Sequence, residues 1–252
     1  MSFTGVDFST ILVKGDLFSH YFNIETLETN ANFSSWQLNL YFAIGETGIG
    51  ARAYTNVFTL TKDIISGSDY RFYIDTQVVP FDIDPGCYRM AVLDTVGAEI
   101  LYITEIVEVR ENTTGLLRCR FRNDENIMNY NYETLTTFKN RVNLPLKIRQ
   151  PKIVPTSEGY DLSAGTFNQT RVTLVKEWEF ITGWIDKDAI EAFHAMFIHS
   201  TFEVELERGS GVYTAFRKGE SAELEQDWGD DYPLVTTLIR LQEIDFATTN
   251  RT

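Results

Sequence analysis

Trp36, Leu38, Leu40, Phe42 and Ile44 alternate with Gln37, Asn39, Tyr41 and Ala43, the period-two pattern of a strand with one buried face. Gly45-Glu-Thr-Gly-Ile-Gly50 follows as a loop. The same pattern predicts strands over 54–61, 70–78, 87–93 and 100–109. Asp82-Ile-Asp-Pro-Gly86 is a turn ahead of 87–93, and Asp94-Thr-Val-Gly-Ala-Glu99 closes a hairpin into 100–109. The first thirty residues are polar and poorly periodic, an arm or an early edge strand. Short strands at near-regular spacing, punctuated by Gly, Asp and Pro, predict a β-sandwich over residues 1–111.

Glu111-Asn-Thr-Thr-Gly115 reads as a linker into a second β domain over 112–252. Leu117, Cys119 and Phe121 alternate with Arg118, Arg120 and Arg122, so apolar and basic rows occupy opposite faces of one strand. Val142, Leu144, Leu146 and Ile148 alternate again, with Pro145 demoting that strand to an edge. Residues 149–168 hold Pro151, Pro155, Gly159 and Gly165 and read as a long loop, of the kind that carries function or reaches a neighbour. A long strand over 170–182 places Val172, Leu174, Trp178 and Phe180 on one side. Asp186 then reads as an N-cap, and Ala189, Ile190, Phe193, Met196 and Phe197 fall at helical spacing. Phe202, Val204 and Leu206 alternate with Glu203, Glu205 and Glu207. Arg208-Gly-Ser-Gly211 turns into a strand over 213–217, and 236–246 supplies the last strand. The predicted fold is therefore mainly β: two antiparallel sandwich or barrel-like domains, the second with one short flanking helix at about 186–199.

The 252 residues carry 22 Lys and Arg against 36 Asp and Glu, a net charge of −14. That balance argues against direct nucleic-acid binding, which needs clustered cations; a conduit lined with negative charge that guides DNA without holding it stays compatible. Cys87 and Cys119 are the two cysteines, read as two buried, reduced thiols. No secretory signal pattern opens the chain and no window is apolar enough for a membrane span, so synthesis in the cytoplasm is expected.

The basic row Arg118, Arg120, Arg122 and the acidic row Glu203, Glu205, Glu207 mirror each other. They are either solvated faces or cross-strand partners within one chain, or subunit surfaces that meet between copies and close a ring. These six residues are the interface candidates.

Little in the sequence spells chemistry. His194 and His199, five apart, lie about 140° apart around a helix and cannot share a metal; both read as flank positions. Glu191-x-x-His194 has no second copy. Asp82-x-Asp84 lacks further calcium ligands. Neither a P-loop, nor a nucleophile elbow, nor a dinucleotide fingerprint occurs. Glu177 and Glu179 share a strand face as surface decoration. No cofactor, metal or catalytic residue is expected; a hydrolase with carboxylates facing across a cleft is the weakest reading.

Gly86-Cys-Tyr-Arg-Met-Ala-Val-Leu-Asp94, followed by Ile100-Leu-Tyr-Ile-Thr-Glu-Ile-Val-Glu-Val109, resembles the β-sandwich segments of virion and prophage tail-type proteins from phages of Bacteroidetes bacteria. Leu117-Arg-Cys-Arg-Phe-Arg-Asn-Asp-Glu-Asn126, the extended segment through Leu146, the strand to Ile181 and the stretch 187–199 are similar to theirs as well. The resemblance spans about two thirds of the chain and leaves out the polar lead and the acidic stretch 220–231. It implies a non-enzymatic building block of the virion, in tail, baseplate or neck, repeated in a ring beside neighbouring virion proteins. The alternative is a glycan- or cell-surface-binding module, with Tyr130, Tyr132, Trp228 and Tyr232 as candidate stacking aromatics.

Overall fold

A computed structural model describes residues 10–22, 35–45, 48–66, 69–123, 132, 135–161, 167–182, 185–186, 196, 199–218, 225–228, 234–243 and 248–249. The described chain is nearly all strand. The first part supplies β1 (Thr10–Val13), β2 (Leu17–Phe22), β3 (Trp36–Ile44), β4 (Gly48–Phe58), β5 (Thr61–Ser66), β6 (Asp69–Val78), β7 (Gly86–Asp94) and β8 (Glu99–Arg110). Next come β9 (Leu117–Arg122), β10 (Asn140–Leu144), β11 (Leu146–Ile148), β12 (Lys152–Asp161) and β13 (Phe167–Thr182). The remainder are β14 (Ile185–Asp186), β15 (Thr201–Glu205), β16 (Thr214–Lys218), β17 (Glu225–Trp228), β18 (Leu234–Glu243) and β19 (Thr248–Thr249).

Five strands in the order β1-β8-β7-β3-β4 form one sheet, antiparallel except where β1 runs parallel to β8. It packs against β2 and β6, and the core between them is drawn wholly from 12–109: Leu38 and Leu40 face Tyr88, Met90 and Val92 of the same sheet and Phe18, Phe22, Phe72 and Ile74 opposite. This is the sandwich expected from alternation. The lead, by contrast, is no loose arm. Thr10–Val13 is an edge strand, and Leu17–Phe22 is an interior strand between β6 and β10. Ser19 and His20 on β2 are buried along with its aromatics, so polar residues interrupt the pattern although the strand is covered on both faces.

A second core is drawn wholly from 119–241. The strand path β11-β13-β18-β16-β15-β9-β10 begins and ends on one extended segment, 140–148, broken at Pro145. Proline has no N–H to give to a ladder, so it marks the place where the segment leaves β9 and joins β13. That makes this part of the sheet barrel-like, with Phe121, Phe180, Phe202, Phe216 and Met196 inside. The expected edge strand is therefore the seam: β10 lies between β9 and β2. The expected loop 149–168 is likewise mostly strand. β12 pairs with β13 from Lys152 opposite Glu177 to Asp161 opposite Phe167, with a register shift at Glu158/Gly159. Pro155 and Gly159 sit there without penalty because β12 pairs on one side only among the described residues.

The helix expected at about 186–199 falls on residues outside those described, apart from its ends and Met196. Asp186 pairs with Leu234 in β14, Met196 is fully buried in the second core, and Phe193 and His194 lie outside the described residues. One thiol reading changes: Cys119 is buried, but Cys87 is exposed, and both are free. Burial pushes the Cys119 thiol well above its usual range. In the folded protein one thiol per chain, Cys87, is expected to react with a chromogenic disulfide reagent, and Cys119 only after denaturant is added. Equal rates for both thiols would contradict the barrel interior.

Candidate assembly surface

The outer face of β9, β10 and β15 carries the charged residues that the sequence singles out. Because Cys119 and Phe121 must point into the barrel, Arg118, Arg120 and Arg122 must point out, and Phe202 and Val204 impose the same alternation on β15. The antiparallel register then sets Glu203 opposite Arg120 and Glu205 opposite Arg118. Arg118 Nη1 donates to Glu205 Oε2 at 3.0 Å, and Arg120 Nε donates to Glu203 Oε2. The rows thus meet across neighbouring strands of one chain. Their pairing with each other is the cross-strand alternative and does not need a second copy. Arg122, facing Thr201 in register, donates to the Thr136 carbonyl, and Glu207 is exposed in the turn after β15.

Four residues join the cluster that alternation did not reveal. Asp16, from the lead, is buried and accepts from Arg118 and from Arg208 Nη2 at 2.9 Å. Arg208 also donates to the Leu116 carbonyl at 2.8 Å. Lys139 Nζ reaches both oxygens of Glu203, at 2.8 and 2.9 Å. Tyr213 lies under the Arg120 guanidinium, 3.8 Å from its carbon to the ring centroid, a cation–π stack. Burial works against ionisation of Glu203, but hydrogen bonds from Lys139 and Arg120 outweigh it and hold the carboxyl below its usual range. Asp16 was hidden by the unpatterned lead, and Lys139 and Arg208 by lying beside strands, where no period marks them; Tyr213 heads the expected strand 213–217, but alternation does not say what its ring meets.

This cluster and a buried polar chain tie the two cores together. Ser19 Oγ donates to the Lys139 carbonyl at 2.6 Å, and Asn143 Nδ2 to the Ile11 carbonyl at 3.1 Å. The Tyr21 N–H donates to Asn140 Oδ1 at 2.8 Å, and Asn140 Nδ2 to the Tyr132 hydroxyl at 2.8 Å. That hydroxyl lies 3.0 Å from His199 Nε2, a hydrogen bond whose direction follows the imidazole tautomer. Two expectations change here. His199 is not a helix flank position but a buried hydrogen-bond partner of Tyr132, and Tyr132 is no stacking platform, being 1% exposed. Tyr130 and Tyr232 lie outside the described residues, as does the Trp228 side chain.

Elsewhere, Glu179 is buried rather than decorative, bound by Lys152 at 2.9 Å and Arg149 at 3.2 Å; these contacts, Lys152 foremost, hold its carboxyl low. The Tyr54 hydroxyl accepts from Asp84 N at 2.8 Å and contacts its carboxylate at 3.2 Å, so Asp84 serves the turn. Among the described residues no three His, Cys, Asp or Glu side chains group as metal ligands. No protein-family model matches the chain, and a search of curated proteins finds no similar sequence.

Proposed function

We propose that this chain is a non-enzymatic structural subunit of a phage virion, a component of a tail, baseplate or neck ring, that assembles through repeated contacts between copies and with neighbouring virion proteins. It would be made in the host cytoplasm and incorporated into the particle. The observation that carries the reading is the β12–β13 ribbon. Among the described residues β18 pairs with β13 between Glu177 and Ile181 and β19 pairs with it at Val172 and Thr173, whereas β12 follows it back to Phe167. The ribbon therefore continues past the barrel by roughly ten residues, about 30 Å of strand. At its root Ile153 and Val154 are 58% and 41% exposed, and neighbours in a strand point to opposite faces. Apolar side chains exposed on both sides of one edge strand invite pairing with another chain unless an assembly covers them. The resemblance of 86–109 and 117–146 to tail-type proteins supports the same reading, and a net charge of −14 suits a ring around DNA that it does not bind by sequence.

Mass photometry and negative-stain imaging of the purified full chain are expected to show oligomers of ring size at micromolar concentration. A strictly monomeric protein across the accessible concentration range overturns the reading. Glycan binding retains one observation in its favour, an open cavity of about 320 Å³ lined by Ala53, Tyr54, Thr55, Asn56, Val57, Pro80, Asp82 and Ile83. A glycan array probed at high protein concentration separates the two: binding abolished by Asn56→Ala supports this second reading, and silence removes it.

A further inference from the structure

One cation on the charged face is left over. Arg141 of β10 stands directly opposite Arg120 on one side and the buried Ser19 on the other, so the row in register reads Ser19, Arg141, Arg120, Glu203, Ala215. Like charges directly opposite each other destabilise a sheet. Glu203 already serves Arg120 and Lys139, Glu205 serves Arg118, and Asp16 serves Arg118 and Arg208. Among the described residues these five cations thus face three carboxylates, while Arg122 of the same face donates to the Thr136 carbonyl. The buried Nε of Arg141 has no hydrogen-bond partner among the described residues. On a chain of charge −14, this is a local positive face with a place for one more carboxylate, and Tyr213, stacked on Arg120, gives it an aromatic wall.

The chain also holds a matching strip. Glu220, Glu223, Glu225, Asp227, Asp230 and Asp231 fall between residues 219 and 231 with no basic residue among them. Within one molecule β17 continues the line of β16 along β18. That sets Glu225 and Asp227 three strands across from Arg141 and roughly 20 Å along the sheet, so they do not serve it in the same copy. We propose that the Arg141–Arg120–Tyr213 face receives the acidic segment 219–231 of a second copy, as the charged junction of a head-to-tail assembly. This rests on the self-assembly reading above and names its contact. A head-to-tail junction of this kind is heterologous, so it propagates into a ring or a filament rather than a closed pair.

The test is a charge exchange read by mass photometry and sedimentation velocity on the full chain. Arg141→Glu is one variant; Glu223→Lys/Asp230→Lys/Asp231→Lys is the other, placed outside β17 to leave that strand alone. Each variant by itself is expected to need at least about tenfold more protein to assemble. Mixing them is expected to recover assembly in part, since the unaltered face of one then meets the unaltered acidic segment of the other and the introduced glutamate meets the introduced lysines, and wild-type assembly should weaken between about 50 mM and about 500 mM salt. If wild type assembles and either folded variant assembles equally well, the inference fails while the self-assembly reading stands. If wild type is monomeric throughout, both fail. Should Arg141→Glu misfold by circular dichroism, the segment variant decides the matter: undiminished assembly of that variant refutes the contact.

Discussion

Replacing Glu205 by alanine is expected to cost about 3–5 kcal/mol of folding stability, the range found when one member of a buried ion pair is removed. Glu205 is 1% exposed. One oxygen receives Arg118 Nη1 at 3.0 Å; the other accepts the N–H groups of Gly209 at 3.1 Å and Gly211 at 2.7 Å. The alanine variant therefore leaves Arg118 with Asp16 as its one remaining carboxylate and takes the acceptor from two turn N–H groups, and each hydrogen bond lost adds its own cost. Both glycines have positive φ, 84° and 71°, so the turn's shape depends on their freedom, and the carboxylate holds that shape. Glu205→Gln keeps an acceptor for the glycines and is expected to cost less than half as much. Urea denaturation followed by tryptophan fluorescence measures both. A loss under about 1 kcal/mol for the alanine variant would mean that water replaces the carboxylate, and that the charged face is solvated rather than closed.

Glu205 also shows what could be read from the chain and what could not. The alternation of Leu117, Cys119 and Phe121 with three arginines, and of Phe202 and Val204 with glutamates, gives both strands and their outward faces. It does not give their register, because a period of two is satisfied by any even shift; only the fold sets Glu205 against Arg118. Strands with one buried face were legible for that reason: Trp36–Ile44, Asp69–Val78, Gly86–Asp94 and Glu99–Arg110 all lie within a residue or two of the expected bounds. β2 was not, because it is buried on both sides by different layers. One side holds Phe18 and Phe22 in the sandwich core, and the other holds Tyr21 with Tyr73, Tyr132 and Phe138 between the two cores. β12 was obscured by Pro155 and Gly159, which a one-sided strand tolerates. Asp16 illustrates the remaining gap. A lone carboxylate in an unpatterned stretch carries no signal, yet it holds Arg118 and Arg208, which lie 102 and 192 residues away.

Lowering the pH from 6.5 to 4 is expected to remove about 3 kcal/mol of stability through His20 alone, at up to about 1.4 kcal/mol per pH unit. His20 is 6% exposed. Its ring lies parallel to that of Phe18 at 6.0 Å and edge-on to Phe22 at 4.7 Å, an apolar setting that disfavours the imidazolium. Burial lowers its pKa from 6.5 to about 4. Between those values the unfolded chain binds a proton that the folded chain refuses, so stability rises with pH across the window and falls as acid is added. The depressed carboxylates act in the same direction but lower down. Glu203, Glu179 and Glu243 lose their contribution as pH falls below the unfolded glutamate value of about 4.5 and through their folded values, so the interval from 6.5 to 5 belongs to His20 among these groups. His20→Gln cannot titrate, and its stability difference from wild type is expected to shrink as pH falls, because wild type alone pays the proton penalty. Denaturation midpoints at half-unit pH steps, wild type beside variant, give that difference directly and cancel every other titrating group. A difference that stays constant from pH 6.5 to 5 would mean that the folded protein accepts the proton on His20, and that the aromatic layer between β2 and the five-stranded sheet opens to water.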